Sequence, residues 1–202
     1  MSLRHPVVRV LIGLTGLVAV VLGVQQLLGS DALPTREDAA RSAREATADL
    51  TPWSSSSRGI SLRVPKDWEQ EQPSSGPLIL KTKTFRGIVN LNLMSEDVAA
   101  GTMLFEYVNR NVEQALATMQ QQKMSPVREF ELEEKLEVGG APGMTICMSY
   151  SLSDPALEVR ATQAYVVHGS RAYAITLTTP KDLHAEYQGL FRAILESVRF
   201  AS

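Results

Sequence analysis

The feature that most constrains this chain lies near its C-terminal end. Leu183, Tyr187, Leu190, Phe191, Ile194, Leu195 and Val198 recur at threes and fours, which makes one face of a helix apolar along its length. A stripe of that kind has to be buried, so the rest of the chain must supply an apolar surface for it to lie on. Thr179-Pro180 with Asp182 reads as the start of the helix: a capping hydroxyl, a proline suited to the first turn and an acid completing the box.

The segments upstream read as the strands of that surface. Ile60, Leu62 and Val64 alternate with Ser61 and Arg63, and Pro65 stops the strand because it cannot donate to a ladder. Trp68 then folds back over the start of the sheet. Leu78–Phe85 and Ile88–Ser95 follow as two strands split by Arg86-Gly87. In the second, Val89, Leu91 and Leu93 share a covered face, and Asn90 and Asn92 a wetter one. From Thr102 to about Gln122 the apolar residues Leu104, Val108, Val112, Ala115, Leu116 and Met119 fall at helical spacing. Glu129–Val138, Met144–Leu152, Leu157–Val167 and Arg171–Thr178 read as four more strands, with turns at Gly139-Gly140, Asp154-Pro155 and His168-Gly169-Ser170. The expected class is α+β: an antiparallel sheet with helices packed on it.

The N-terminal part has a different character. Val10–Val24 is uncharged, and with Val7, Val8, Leu27 and Leu28 it reaches the roughly 20 residues that span a bilayer core. Arg4, His5 and Arg9 precede it and Asp31 follows. The positive flank puts the N-terminus in the cytoplasm and the bulk of the chain outside, as a single-pass protein of the inner membrane with a periplasmic domain. A cleaved signal peptide is the competing reading, with Ser30-Asp31-Ala32 as its cleavage site. Gly13, Gly16, Ala19 and Gly23 form a small-residue stripe on which another membrane helix can pack.

Residues 30–57 read as a tether. Thr35 with Asp38 is a capping pattern for a helix from Arg36, but residues 36–50 hold no large apolar residue except Leu50, so that helix is expected to be a solvated spacer or to rest on a partner. Ser54–Ser57 reads as flexible linker, and Trp53 as an interface anchor or a cover for the domain edge. The expected organisation is therefore anchor 1–29, juxtamembrane helix and linker 30–57, and globular domain 58–202.

Two stretches carry a resemblance to a known family. The opening, Gly59-Ile-Ser-Leu-Arg-Val-Pro-Lys-Asp-Trp68, and the ending, Ala172-Tyr-Ala-Ile-Thr-Leu-Thr-Thr-Pro180 followed by the helix and Ile194-Leu-Glu-Ser-Val-Arg-Phe200, resemble the PsbP-like superfamily, with Ile60 where an aromatic is usual. That superfamily also holds bacterial DcrB-type envelope proteins and a eukaryotic Ran-release factor. The resemblance covers about Arg58 to Phe200. It implies a PsbP-like α/β/α sandwich and a non-catalytic role in binding or stabilising a larger assembly, with photosynthetic complexes as the example.

The candidate chemistry is sparse. A net charge of −2 gives no basic field for nucleic acid. Cys147 is the single cysteine, which excludes an internal disulfide and a cysteine-rich zinc site. No Lys, Arg or His stands beside it in sequence to activate a thiolate. His168 and His184 read as surface histidines, and His184 and Glu186, two apart, do not share a helical face. Glu131, Glu133 and Glu134, with Glu129 and Glu137, form an acidic stretch: a solvated strand face, or a docking surface for a basic partner. Met144 and Met148 read as core filler, or as an adaptable surface. The functional expectation is a membrane-anchored accessory subunit without enzymatic activity or cofactor, docked on an integral membrane complex through the bilayer segment 7–28 and the domain. A free DcrB-type binding or envelope-maintenance module is the alternative.

Overall fold

The computed structural model describes residues 33–73, 76–84, 89–121, 126–127, 136–153 and 156–201. The first element is helix α1, Arg36–Ala48. Its cap is the one the sequence announces: Thr35 Oγ1 accepts from the Asp38 amide at 3.1 Å and donates to the Asp38 carboxylate at 2.8 Å. Strand β1, Leu50–Ser55, follows, and a 3₁₀ turn, Ser56–Arg58, ends at Gly59, whose φ is 64°. Strand β2, Ile60–Pro65, runs antiparallel to β1 with Trp53 opposite Leu62.

The larger sheet is built from β3 (Glu69–Glu71), β4 (Leu78–Lys83), β5 (Asn90–Asp97), β6 (Pro126–Val127), β7 (Leu136–Val138), β8 (Ala141–Ser153), β9 (Ala156–His168) and β10 (Arg171–Pro180). Its order is β3-β4-β5-β10-β9-β8-β6, with β7 paired to β8, and every pairing is antiparallel. Helix α2, Leu104–Gln121, lies between β5 and β6 in the chain. A 3₁₀ turn, Lys181–Leu183, leads from β10 into helix α3, His184–Glu196, and β11, Arg199–Phe200, closes a small sheet of order β1-β2-β11.

Two cores result, one on each face of the large sheet. On one face Leu80, Leu91, Leu93, Ile175 and Leu177 meet Leu190 and Ile194 of α3, with Leu62, Val64 and Trp68 alongside. All seven stripe residues from Leu183 to Val198 are buried there. On the other face Ile146, Met148, Tyr150, Val159 and Tyr165 meet Tyr107, Val108, Val112 and Leu116 of α2. Met148 is thus core, not an adaptable surface. Tyr107 and Tyr165 stand edge to face, centroids 5.9 Å apart. The fold is α+β, antiparallel, with helices on both faces.

Four expectations need correction. Residues 36–55 are neither spacer nor linker: Ala39 and Ala43 are buried where α1 meets α3, and Leu50 and Trp53 are core residues of β1. Alanine lets two helices approach closely without a large apolar stripe, and the serines hid a strand whose inward positions are Leu50 and Trp53. Trp53, 7% exposed, is therefore not available as a partner anchor. Asn90 and Asn92 are 1% and 2% exposed; Asn92 donates to Asn90 at 3.4 Å along a face that is covered, not wet. The opening strand, β2, belongs to the small sheet and not to the large one. Among the described residues no helix is long and apolar enough to cross a membrane; the expected anchor, with Gly13, Gly16, Ala19 and Gly23, lies outside the described residues.

Candidate functional site

The alternation of β8 decides which side chains face α3. Met144, Ile146, Met148 and Tyr150 turn toward α2, so Thr145 and Cys147 turn toward α3. The β8–β9 register places Cys147 opposite Thr162. At the far end of β10 the chain passes through its 3₁₀ turn and delivers His184, the first residue of α3, to the same spot.

These groups touch. Cys147 Sγ lies 2.7 Å from Thr162 Oγ1, and Thr162 Oγ1 lies 2.9 Å from His184 Nε2. The other ring nitrogen, Nδ1, is 2.9 Å from Thr179 Oγ1. The Arg160 Nε–H donates to Cys147 Sγ at 3.4 Å. The direct thiol-to-imidazole distance is 4.0 Å, so the Thr162 hydroxyl is the intermediary between them. Burial, with the nearby Arg160 charge as a second cause, pushes the His184 pKa down to about 4. The imidazole is therefore neutral at neutral pH and is held from both sides by hydroxyls.

The cluster forms the floor of a half-open cleft of about 710 Å³. Leu136, Phe191 and Leu195 supply apolar wall; Gln188, Gly189 and Arg192 line the helix side. That volume is in the range of small-molecule sites. A second cleft, about 700 Å³, lies between α1 and the turn after β2, with Trp68 and Tyr187 beside the carboxylates Asp38, Glu45, Asp49 and Asp67.

Sequence reasoning missed the floor cluster. It expected His184 at the surface and Cys147 without a cationic or imidazole neighbour; His184 and Cys147 are each 3% exposed, and Arg160 and His184 arrive from β9 and α3. One signal was present. The alternation along 144–152 and 157–167 marks the two strands of one hairpin, whose register sets Cys147 opposite Thr162. The expected helix cap misled: Thr179 is fully buried and bonds His184, Pro180 is the N-cap of the 3₁₀ turn, and Leu183 is the N-cap of α3, neither with a side-chain cap bond. His168 sits at the other end of β10, stacked on Phe200 with centroids 4.6 Å apart, so the two histidines do not converge. Glu131, Glu133 and Glu134 lie outside the described residues. Large apolar side chains do reach solvent at the start of α2: Met103 is 62% and Phe105 57% exposed.

No protein-family model and no curated protein matches the sequence. Solved structures do. Cyanobacterial PsbP (CyanoP) from Synechocystis sp. PCC 6803 superposes with a TM-score of 0.58 at 13% identity, covering 87% of this chain and 99% of that one. The Saccharomyces cerevisiae Ran-binding protein Mog1p gives 0.54 at 12% identity, covering 76% of this chain and 96% of its own. LpqN, involved in cell envelope biogenesis of Mycobacterium tuberculosis, gives 0.50 at 14% identity, covering 76% and 86%. The chain has a PsbP-like fold.

Proposed function

We propose that this protein is a non-enzymatic accessory subunit, held at the inner membrane by the apolar segment 7–28 with its PsbP-like domain on the periplasmic side, where it docks on and stabilises an integral membrane complex. The observation that carries the reading is the likeness to CyanoP, which takes in 99% of that protein. A photosynthetic reaction centre or photosystem is the specific variant of the partner. The apolar run Val10–Val24, with Gly13, Gly16, Ala19 and Gly23 on one stripe, supports the anchor and a helix partner within the bilayer. Exposed Met103 and Phe105 support a docking face at the start of α2. The test is a photo-crosslinking residue at Phe105 in the native membrane. The expected product is a discrete adduct with one integral membrane protein; a chain that stays uncrosslinked under the same illumination overturns the docking role.

The cleft beneath α3 favours a second reading, a free envelope module that binds a small ligand. LpqN, a protein involved in cell envelope biogenesis, is the structural neighbour in line with it. The two readings part on whether the chain is found in a stable complex.

A further inference from the structure

Gly189 lies inside α3, where glycine is the poorest helix former after proline. Its backbone is not in the left-handed region, and a Cβ built on it meets nothing within 4 Å. Neither conformation nor packing calls for a glycine here. What the missing side chain leaves is space, and the space is the wall of the 710 Å³ cleft. The charges bordering the cleft, Glu137, Arg192 and Glu196, belong to exposed residues and stand where water reaches them. The floor differs. Thr145 and Thr162 offer hydroxyls, Cys147 a thiol and His184 an imidazole already engaged by two hydroxyls. Arg160 stands behind the thiol, its Nε–H on Cys147 Sγ, and is not among the residues that line the cleft. A charged head buried against the lining hydroxyls, thiol and neutral imidazole would form no ion pair with them.

The geometry points to a binding site for an uncharged amphipathic small molecule, its apolar body against Phe191 and Leu195 and over Gly189, and its hydroxyl or carbonyl head on Thr145 and Thr162. Docking on a membrane complex does not require this site, and a failure of either claim leaves the other standing. Fixed polar groups at the floor and apolar walls above are the ordinary division of labour in such clefts.

Cys147, the single cysteine, reports on the floor. The full chain in lipid nanodiscs is alkylated with iodoacetamide, and the rate at Cys147 is read by mass spectrometry in the presence of 1-hexanol, hexanoate or hexylamine. At about ten times its half-maximal concentration 1-hexanol should slow the alkylation about tenfold by simple occupancy, and the two ions should leave it within about twofold. Gly189→Trp should slow alkylation by itself and abolish any further effect of 1-hexanol. Thr145→Val, which keeps the side chain's shape, should raise the 1-hexanol concentration needed by about tenfold and so tests the site even if the tryptophan variant does not fold. An alkylation rate indifferent to 1-hexanol, equal protection by the ions, or full protection retained in Thr145→Val overturns the assignment.

Discussion

His184 should make the protein sensitive to mild acid in a way that one substitution removes. Its ring is 3% exposed, held at 2.9 Å by Thr179 on Nδ1 and at 2.9 Å by Thr162 on Nε2, with the Arg160 guanidinium close by on Cys147. Burial is the larger cause and Arg160 the smaller one that push its pKa from 6.5 down to about 4. In the unfolded chain the imidazole takes a proton near pH 6.5, whereas the folded protein resists until about pH 4. Between those values the unfolded state binds more protons, so stability falls as pH falls; above 6.5 nothing is lost, and below 4 the penalty is complete. At about 1.4 kcal/mol per pH unit the full window is worth roughly 3–4 kcal/mol, with roughly 2–3 kcal/mol of it gone by pH 4.5. The assay is urea denaturation of the full chain at pH 7.5 and pH 4.5, followed by fluorescence of Trp53 and Trp68, both buried. The parent should lose roughly 2–3 kcal/mol more than His184→Gln across that range. The variant should start about 1–2 kcal/mol less stable at pH 7.5 because it cannot reproduce both hydroxyl contacts. Carboxylate titrations are common to both proteins and cancel in the difference. If parent and variant lose stability in parallel, the histidine is not a buried neutral base and the account of the cleft floor is wrong.

Three further substitutions test separate parts of the fold. Gly189→Ala should stabilise the protein by about 1 kcal/mol, seen as a higher Tm, because the helix gains an alanine in open space. Gly139→Ala should cost roughly 2–3 kcal/mol in a denaturant titration, since its φ is 60° and the new Cβ would stand 2.8 Å from Phe200 Cε2. Thr35→Ala should cost about 1 kcal/mol through the lost cap of α1, a loss that a free spacer helix would not transmit to global unfolding.

The parts of the fold that could be read from sequence are those whose signal is local. The stripe from Leu183 to Val198 needs only the helical period to be recognised, and all of it is buried. The β9–β10 hairpin, with Gly169 at φ 61° in its turn, announces itself through alternation and turn chemistry. What failed depended on distant partners. β1 is a strand because β2 pairs with it, and a serine run next to a tryptophan says little about that. Thr179 has the form of a helix cap, but its position on the buried face of β10 gives its hydroxyl to His184 instead. Asn90 and Asn92 look solvated because alternation reveals two faces and not what lies over each.

The cleft was the least legible feature, because its floor is assembled from three elements separated in sequence. Cys147 comes from β8, Thr162 from β9 and His184 from α3. Only the hairpin register joins the first two, and only the packing of α3 on the sheet adds the third. Gly189 was a visible anomaly within a well-marked helix, and its meaning emerges once the space beside it is known.

The docking proposal is tested most directly in the membrane itself. Native membranes are solubilised gently and the chain is followed through a density gradient, with a variant lacking residues 7–28 run in parallel. The proposal expects the full chain to sediment with a large complex and the shortened chain to lose that association. A full chain that runs alone as an anchored monomer contradicts it.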